Sequence, residues 1–280
     1  MSSKHLDIVK STGEKVRFSF SKLRRSLLKS GADKQTVNLV IDQMRDKLYQ
    51  GMSTREIYNR AFSLLKQVKS VYASKYKLKK ALYELGPSGF PFEKFVGKLF
   101  EAEGYSIEMN QIIQGRCVDH EVDVIAYKNS NRNLIECKFH SEEGRTCDVK
   151  IPLYINSRFR DIHEKEKSQD TDTGWLVTNT RFTDDALQYS KCIHLRLLSW
   201  DYPENKSLKD LIDKYHIYPL SVSTMLSRAE KEELLNKDLI LASEVLENHK
   251  ILSKIGIHEP RCSKILDEYR ILTNTKSHEI

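Results

Sequence analysis

The stretch Leu134-Ile135-Glu136-Cys137-Lys138-Phe139 decides the fold at the centre of this chain, together with Asp119-His120-Glu121-Val122-Asp123-Val124-Ile125 before it. Successive side chains of a strand point to opposite faces, so Glu136 and Lys138 share one face and the apolar residues between them share the other. The same alternation directs the three acids of the earlier stretch to one face. The polar residues 128–132 predict a tight turn that makes the two strands neighbours. A carboxylate and an amine are therefore expected beside further carboxylates.

Carboxylates on adjacent strands form a site that suits a hard divalent cation. Hydrolysis of a phosphodiester needs such carboxylates, a polarised water and a cation near the developing negative charge. The bare pattern of Asp followed by Glu-x-Lys is weak, since about one chance match is expected in a chain this charged. Its surroundings strengthen it, because a helix with Glu93 near its start precedes the strands, and alternating helix and strand follow.

The sequence around this pair of strands predicts a mixed sheet with helices. An amphipathic helix that ends at Gly104 is predicted by apolar residues at helical spacing, namely Phe92, Phe95, Val96, Leu99 and Phe100. Further strands are expected at 106–113, 118–127, 133–139, 174–179 and 192–198, and further helices at 152–168 and 183–190. This alternation indicates an α/β core.

This order of features resembles the PD-(D/E)xK superfamily, and specifically the Mrr-like restriction endonucleases, over about residues 91–200. The likeness runs from Phe92-Glu93-Lys94-Phe95-Val96 through Asp123 and Glu136-Cys137-Lys138 to Trp175-Leu176-Val177-Thr178-Asn179. It implies that Asp123 and Glu136 bind Mg²⁺ or Mn²⁺, that Lys138 orients or activates water, and that Glu93 completes the catalytic site. Many Mrr-like proteins have Gln where this chain has Glu136, so the likeness does not extend to a preference for methylated DNA.

Some of these residues have simpler interpretations. Glu93 would also interact favourably with the N-terminal dipole of its helix. Asp119 and Glu121 fit solvated strand charges better than metal ligands. Lys and Arg side chains after the strands are candidates for contacts with DNA phosphates, whereas a lone histidine such as His140 is more often structural. The Lys and Arg side chains are Lys150, Arg158 and Arg160, and Asp148 precedes them in the same segment.

The first 86 residues follow a different pattern. Alternating residues on either side of Ser11-Thr12-Gly13-Glu14 predict a β-hairpin. Four helices are expected, the first from Ser21 to about residue 30 and the second from Asp33 to about residue 49. The third begins at Ser53, where Glu56 completes a capping box, and the fourth ends at about residue 85. The segment 86–91, Gly-Pro-Ser-Gly-Phe-Pro, cannot continue a helix or a sheet ladder and so predicts a domain boundary.

Positive charge is concentrated in this N-terminal part. Residues 1–80 hold 19 Lys and Arg against 6 Asp and Glu, a charge of +13, which leaves −6 for the rest of a chain whose net charge is +7. Clustered Lys and Arg attract polyanions such as nucleic acid or a triphosphate. Solvated helix faces are the alternative.

Residues 4–85 resemble the ATP-cone domain of ribonucleotide reductases and their repressor. The likeness rests on Ile8-Val9-Lys10, Gly13, Phe18 to Phe20, Lys22-Leu23, Gly51 to Ile57 and Ala73 to Lys80. It implies ATP or dATP as a regulatory ligand, with Val9, Lys10, Lys22 and Thr54 at the nucleotide. The chain has no Gly-x(4)-Gly-Lys-Ser/Thr loop, which favours sensing over hydrolysis. Val16 stands where some members have a contacting acid, and a DNA-docking module is the alternative.

Residues 206–280 predict a small helical domain. Within it, Leu252-Ser253-Lys254-Ile255-Gly256-Ile257 resembles the hairpin of a helix–hairpin–helix module, for which plain helical packing is the alternative. No apolar run reaches the ~20 residues that cross a bilayer, and Met1 to His5 lacks a signal-peptide core, so we expect a cytoplasmic protein without a membrane segment. The five cysteines are scattered, without Cys-x-x-Cys spacing.

The sequence thus predicts an α/β multidomain protein. Its parts are an ATP-cone-like domain at 1–86, a nuclease domain with a mixed sheet at 87–205 and a helical domain at 206–280. The predicted function is metal-dependent endonucleolytic hydrolysis of DNA, regulated by an adenine nucleotide, in a homo-oligomer. The alternative is a non-catalytic, nucleotide-sensing regulator that binds DNA.

Overall fold

The computed structural model describes residues 6–10, 12–129, 131–166 and 173–274. The chain separates into two compact units. The first comprises residues 1–78 with 222–225, and the second comprises 79–221 with 226–280.

The first unit is a hairpin followed by helices, as predicted. Its elements are β1 (Asp7–Val9), β2 (Lys15–Arg17), α1 (Phe20–Lys29), α2 (Lys34–Arg45), α3 (Thr54–Val68) and most of α4 (Ser70–Tyr83). The strands pair antiparallel with Ile8 opposite Val16. Its core consists of buried aliphatic side chains from every one of these helices, including Leu27, Ile41, Met44 and Leu65.

Two details of the helix caps differ from the prediction. Ser19, in extended conformation, caps α1 by accepting a hydrogen bond from the Lys22 amide, so Ser21 is not the cap. Ser53 does cap α3 through the Glu56 amide. The Glu56 carboxylate, however, accepts hydrogen bonds from Tyr49 Oη and Arg60 Nη2, at 2.6 and 3.0 Å, which places it in a side-chain network at this helix start.

The second unit contains the sheet. Its elements through the sheet are α5 (Phe90–Ala102), β3 (Ser106–Gln114), β4 (Asp119–Lys128), β5 (Asn131–Lys138), β6 (Thr146–Cys147), α6 (Lys150–Glu166), β7 (Thr173–Thr178), β8 (Arg181–Phe182), α7 (Asp184–Cys192) and β9 (Arg196–Leu198). Five strands form a mixed sheet in the order β3-β4-β5-β7-β9. The pairs β3–β4 and β4–β5 are antiparallel, and β5–β7 and β7–β9 are parallel. The mixed α/β class is therefore as predicted.

Helices cover both faces of this sheet. Trp175 of β7 meets Phe100 of α5, with ring centroids 5.4 Å apart. The next residue, Leu176, points to the other face, where it packs in a core with Ile155 and Phe159 of α6. Burial on both faces explains why β5 is almost continuously buried from Asn133 to Cys137.

The last strand is shorter than predicted. Helix α7 continues to Cys192 and ends through Ile193 and His194, whose φ of 59° turns the chain, so β9 begins only at Arg196. A turn with positive φ is incompatible with a strand, and the apolar run from Cys192 to Leu198 does not reveal it. The parallel pair β6–β8 was not predicted, because two residues are too short to show alternation.

Helices α8 (Leu208–Tyr215), α9 (Arg228–Asn236), α10 (Ala242–Glu247), α11 (Lys250–Lys254) and α12 (Arg261–Leu272) complete the second unit. The buried Tyr269 hydroxyl donates to the Leu220 carbonyl at 2.6 Å and ties α12 to the loop after α8. Between α11 and α12, the amides of Ile255, Gly256 and Ile257 donate to carbonyls of α11. These bonds occupy the amides that a helix–hairpin–helix module would offer to DNA. No helix in the described residues is long and apolar enough to cross a membrane.

Candidate active site

Asp123 lies where strands β4 and β5 part. Their register runs from Lys128 opposite Asn131 to Val124 opposite Ile135, and the next residues are Asp123 and Glu136. Here the Asp123 carboxylate accepts a hydrogen bond from the Cys137 amide at 2.7 Å. The Asp123 side chain thus accepts the hydrogen bond that a backbone carbonyl of the neighbouring strand would otherwise accept. This bond holds the carboxylate at the fork, the point where the two strands separate.

Glu136 is buried, and α6 supplies its partners. Tyr154 Oη donates to Glu136 Oε1 at 3.1 Å, and Arg158 Nη1 donates to Glu136 Oε2 at 2.8 Å. Arg158 also donates through Nη2 to the Glu121 carbonyl. Because Tyr154 and Arg158 are four residues apart, they lie on the same face of α6. Both oxygens of Glu136 are therefore held in place.

Both carboxylic acids have raised pKa values. Burial raises the pKa of Asp123 to about 7, with contributions from the nearby charges of Glu136 and Glu93, against the Cys137 hydrogen bond. Burial also raises the pKa of Glu136, which Arg158, Tyr154 and Lys138 oppose. Two acids that resist ionisation side by side are typical of a site that binds a cation.

Lys138 follows Glu136 by two residues and is partly exposed. Its ammonium group has no hydrogen-bond partner among the described residues. The backbone beneath it is fixed, since Thr178 Oγ1 donates to the Lys138 carbonyl at 2.7 Å. Asn179 binds the amide and the carbonyl of the adjacent His140. The imidazole of His140 contacts Thr180 Oγ1 at 3.1 Å, which agrees with a structural role.

Glu93 lies in the first turn of α5, as predicted. Its Oε2 accepts a hydrogen bond from Asn110 Nδ2 at 3.1 Å. Its charge contributes to the raised pKa of Asp123, so the two carboxylates are near each other. This position is compatible both with a helix-dipole interaction and with a place at the edge of the site.

The donors fit one kind of metal better than another. No group of three His, Cys, Asp or Glu side chains arranged to hold a metal ion occurs in the described part of the chain. Mg²⁺ is commonly bound through one or two carboxylates together with water and substrate phosphate, without a closed protein cage. Asp123 and Glu136, two hard oxygen donors at one fork, suit that ion.

The other predicted residues are distributed as follows. Asp119 and Glu121 are exposed, in keeping with solvated charges. In the first unit, the Val9 amide donates to the Met52 carbonyl at 3.1 Å, which brings Val9 beside Ser53 and the start of α3 at Thr54. Lys10 is paired with Glu14 at 2.8 Å, and Lys22 is exposed on α1.

The role of Tyr154 was not foreseen from the sequence. Arg158 was expected to meet DNA phosphates, whereas here it is paired with Glu136. The i, i+4 spacing of the two residues was visible, but nothing local indicates that this face of α6 covers Glu136.

Family models match two parts of this chain. Residues 86–204 match the restriction endonuclease family model Mrr_cat, and residues 218–273 match the model described as AF1548-like, C-terminal. An uncharacterized protein of Archaeoglobus fulgidus is 29% identical over 174 residues, which cover 62% of this chain and 97% of that protein. The crystal structure of a protein of unknown function, AF1548, is similar with a TM-score of 0.55 and 26% identity, over 67% of this chain and 100% of that one. Residues 86–204 therefore form a restriction endonuclease-like domain, followed by an AF1548-like C-terminal region.

Proposed function

We propose that this protein is a metal-dependent endonuclease that hydrolyses DNA phosphodiester bonds. The observation that carries the proposal is the fork of β4 and β5, where the Asp123 and Glu136 carboxylates meet and Lys138 follows on the same strand. The restriction endonuclease match over residues 86–204 supports it.

The roles of the chain's own groups follow from their contacts. Asp123 and Glu136 supply oxygen ligands for Mg²⁺ or Mn²⁺, and a bound divalent cation would polarise a water and the scissile phosphate. Arg158 and Tyr154 keep Glu136 oriented and favour its ionised form. The Lys138 ammonium group would orient the attacking water and stabilise the charge that develops on the phosphate. Glu93, at the start of α5, would add a further carboxylate to those of Asp123 and Glu136.

Cleavage of supercoiled plasmid with Mg²⁺ or Mn²⁺ tests this function. We expect metal-dependent nicking that falls at least about 100-fold in Glu136→Gln and in Lys138→Met. Glu121→Gln is the matched control, because its exposed carboxylate lies on the neighbouring strand, and it should keep wild-type activity. Intact plasmid with DNA still bound would instead favour the non-catalytic regulator.

The proposal includes regulation by ATP or dATP bound to the first unit. It rests on the ATP-cone resemblance and on the position of Val9 beside the start of α3, where Thr54 lies. Lys10 and Lys22 would meet the phosphates. The two matched family regions lie within residues 86–273 and give this part no support. A homo-oligomer that responds to the nucleotide belongs to the same proposal.

A further inference from the structure

A second concave site lies at the opposite end of β7 from Thr178. It is a cavity of about 780 Å³ between the second half of α6, the end of α7 and the first residues of β7 and β9. Basic side chains surround it: Arg160, His163, Lys191, His194 and Arg196. We call it the basic cavity. No carboxylate is among its described lining residues.

The permanent positive charges at the basic cavity come from Arg160, Lys191 and Arg196. Arg160 and Lys191 are exposed, and neither forms an ion pair with a carboxylate in the described residues. The Arg196 guanidinium lies 5.3 Å from the centre of the Trp175 ring, which orients it without removing its charge. Three permanent cations therefore converge on one concavity, where their fields add.

The wall of the basic cavity also contains a buried hydroxyl. Ser190 is fully buried, and its Oγ has no hydrogen-bond partner in the described part of the chain. A buried donor left unpaired destabilises the folded protein. An anion in the cavity would accept this hydrogen bond while it meets the cations, so one ligand would satisfy both features.

We propose that the basic cavity binds a phosphate group. Phosphate carries charge for the cations and several acceptor oxygens for the Ser190 hydroxyl. Two sources share this chemistry, a DNA backbone and a free phosphate. Strand β7 has six residues, so at ~3.3 Å per residue the cavity lies roughly 17 Å along the strand from Thr178, the partner of Lys138. DNA at the proposed catalytic site would span that distance within one helical turn.

Binding to the full chain in EDTA tests the proposal without relying on cleavage, so failure of this site and failure of the proposed nuclease can be told apart. The probes are inorganic phosphate and a short DNA duplex. The variants are Ser190→Ala, which removes only the unpartnered hydroxyl, and the double variant Arg160→Glu/Lys191→Glu. The double variant Lys206→Glu/Lys264→Glu has the same charge change at exposed positions outside the cavity and serves as the control.

We expect Ser190→Ala to fold at least as stably as wild type and to bind phosphate several-fold more weakly. The cavity double variant should lose at least about tenfold in phosphate affinity, whereas the control keeps it. If the ligand is DNA, the slope of log affinity against log salt should also decrease by about 2 relative to the control. A cavity variant that loses phosphate binding and keeps DNA binding would identify a free anion as the ligand. Equal losses in the cavity variant and its control, or unchanged phosphate binding in Ser190→Ala, would overturn the proposal.

Discussion

Tyr154, together with Arg158, connects α6 to the proposed chemistry. Its hydroxyl donates to Glu136 Oε1, and both burial and the Glu136 charge raise the pKa of Tyr154 to about 12, so it remains a donor at any working pH. The hydrogen bond lowers the pKa of Glu136. Tyr154 is therefore a positioning residue that acts through the proposed metal ligand Glu136.

Replacing Tyr154 with Phe should move the pH dependence of cleavage. Without the hydroxyl, the pKa of Glu136 rises, and the acidic limb of the pH–rate profile should shift upward by about half a unit to one unit. The rate near neutral pH should fall about threefold to tenfold. Tyr189→Phe is the control, since its hydroxyl accepts only from Asn156 among the described residues. A lower rate with an unshifted profile would indicate a merely structural role.

Asp123 gives a prediction for stability in the absence of metal. Folding raises its pKa from 3.8 to about 7, so between these values the folded protein binds more protons than the unfolded chain. The contribution of this group to stability is thus fully present below about pH 4 and is lost as the pH rises through 7. Asp123→Asn keeps an acceptor for the Cys137 amide without the buried charge.

In EDTA at pH 8, Asp123→Asn should therefore be more stable than wild type, by on the order of 2 kcal/mol, with the difference disappearing toward pH 4. Urea unfolding at several pH values measures this. Asp119→Asn, an exposed acid on the same strand, should show no such trend. An Asp123→Asn protein no more stable than wild type at pH 8 would contradict the assigned environment.

For single residues of the site, the sequence predicts the placements that strand periodicity determines and few others. Alternation was enough to place Glu136 and Lys138 together, and the turn after Lys128 brought Asp123 level with Glu136. The partners of Glu136 come from α6, 18 and 22 residues later. Which face of a helix meets which strand is set by tertiary packing, so these contacts could not be read from local pattern.

One face of helix α6 contacts three parts of the second unit, namely β5, β4 and the turn between β3 and β4. Tyr154, Arg158 and Asp161 are spaced at i, i+4 and i+7, which places them in a row. Asp161 accepts hydrogen bonds from the Cys117 and Val118 amides and contacts His120 Nε2 at 2.8 Å. These bonds, the one from His120 foremost, lower the pKa of Asp161 to about 2. The helix that orients Glu136 thus also anchors the turn between β3 and β4.

Asp161→Ala should loosen that turn. The amides of Cys117 and Val118 should exchange hydrogen faster, and the unfolding temperature should fall, because three donors lose one acceptor. Glu164→Ala is the control three residues further along the helix, where an exposed ion pair with Arg116 is lost. Mass-spectrometric hydrogen exchange checks both. Unchanged protection of the turn in Asp161→Ala would show that β3–β4 pairing alone holds it.

Among the elements, long periodic segments were predicted well and short or capped ones poorly. Helix α5 and strands β3, β4 and β5 have strong apolar patterns, and their bounds agree closely with expectation. The end of α7 does not agree with expectation, because the hydropathy pattern does not predict the positive φ of His194. The cap of α1 is Ser19 and not Ser21. Both residues are serines, so only the backbone conformation shows which of them is the cap.

Over the whole molecule, charge is divided between +13 in residues 1–80 and −6 in the rest. The negative part includes the proposed catalytic domain, so the proposed binding of DNA would depend on local groups such as Lys138 and those of the basic cavity. The basic part includes the hairpin and helices to which we assign nucleotide binding. This division is consistent with two different anionic ligands on one chain.

ATP or dATP should therefore stabilise the full chain through its first unit. At a concentration of about 100 Kd, binding stabilises the folded state by about 2.7 kcal/mol, which a thermal shift detects. Lys22→Ala and Thr54→Ala should reduce that shift, whereas Lys34→Ala, which removes an exposed lysine of α2, should not. Sedimentation with and without nucleotide, on the same variants, should show a change in oligomeric state that follows the thermal shift. A thermal shift unaffected by either variant would place the nucleotide elsewhere, and no shift at all would leave the basic N-terminal part as a DNA-docking module.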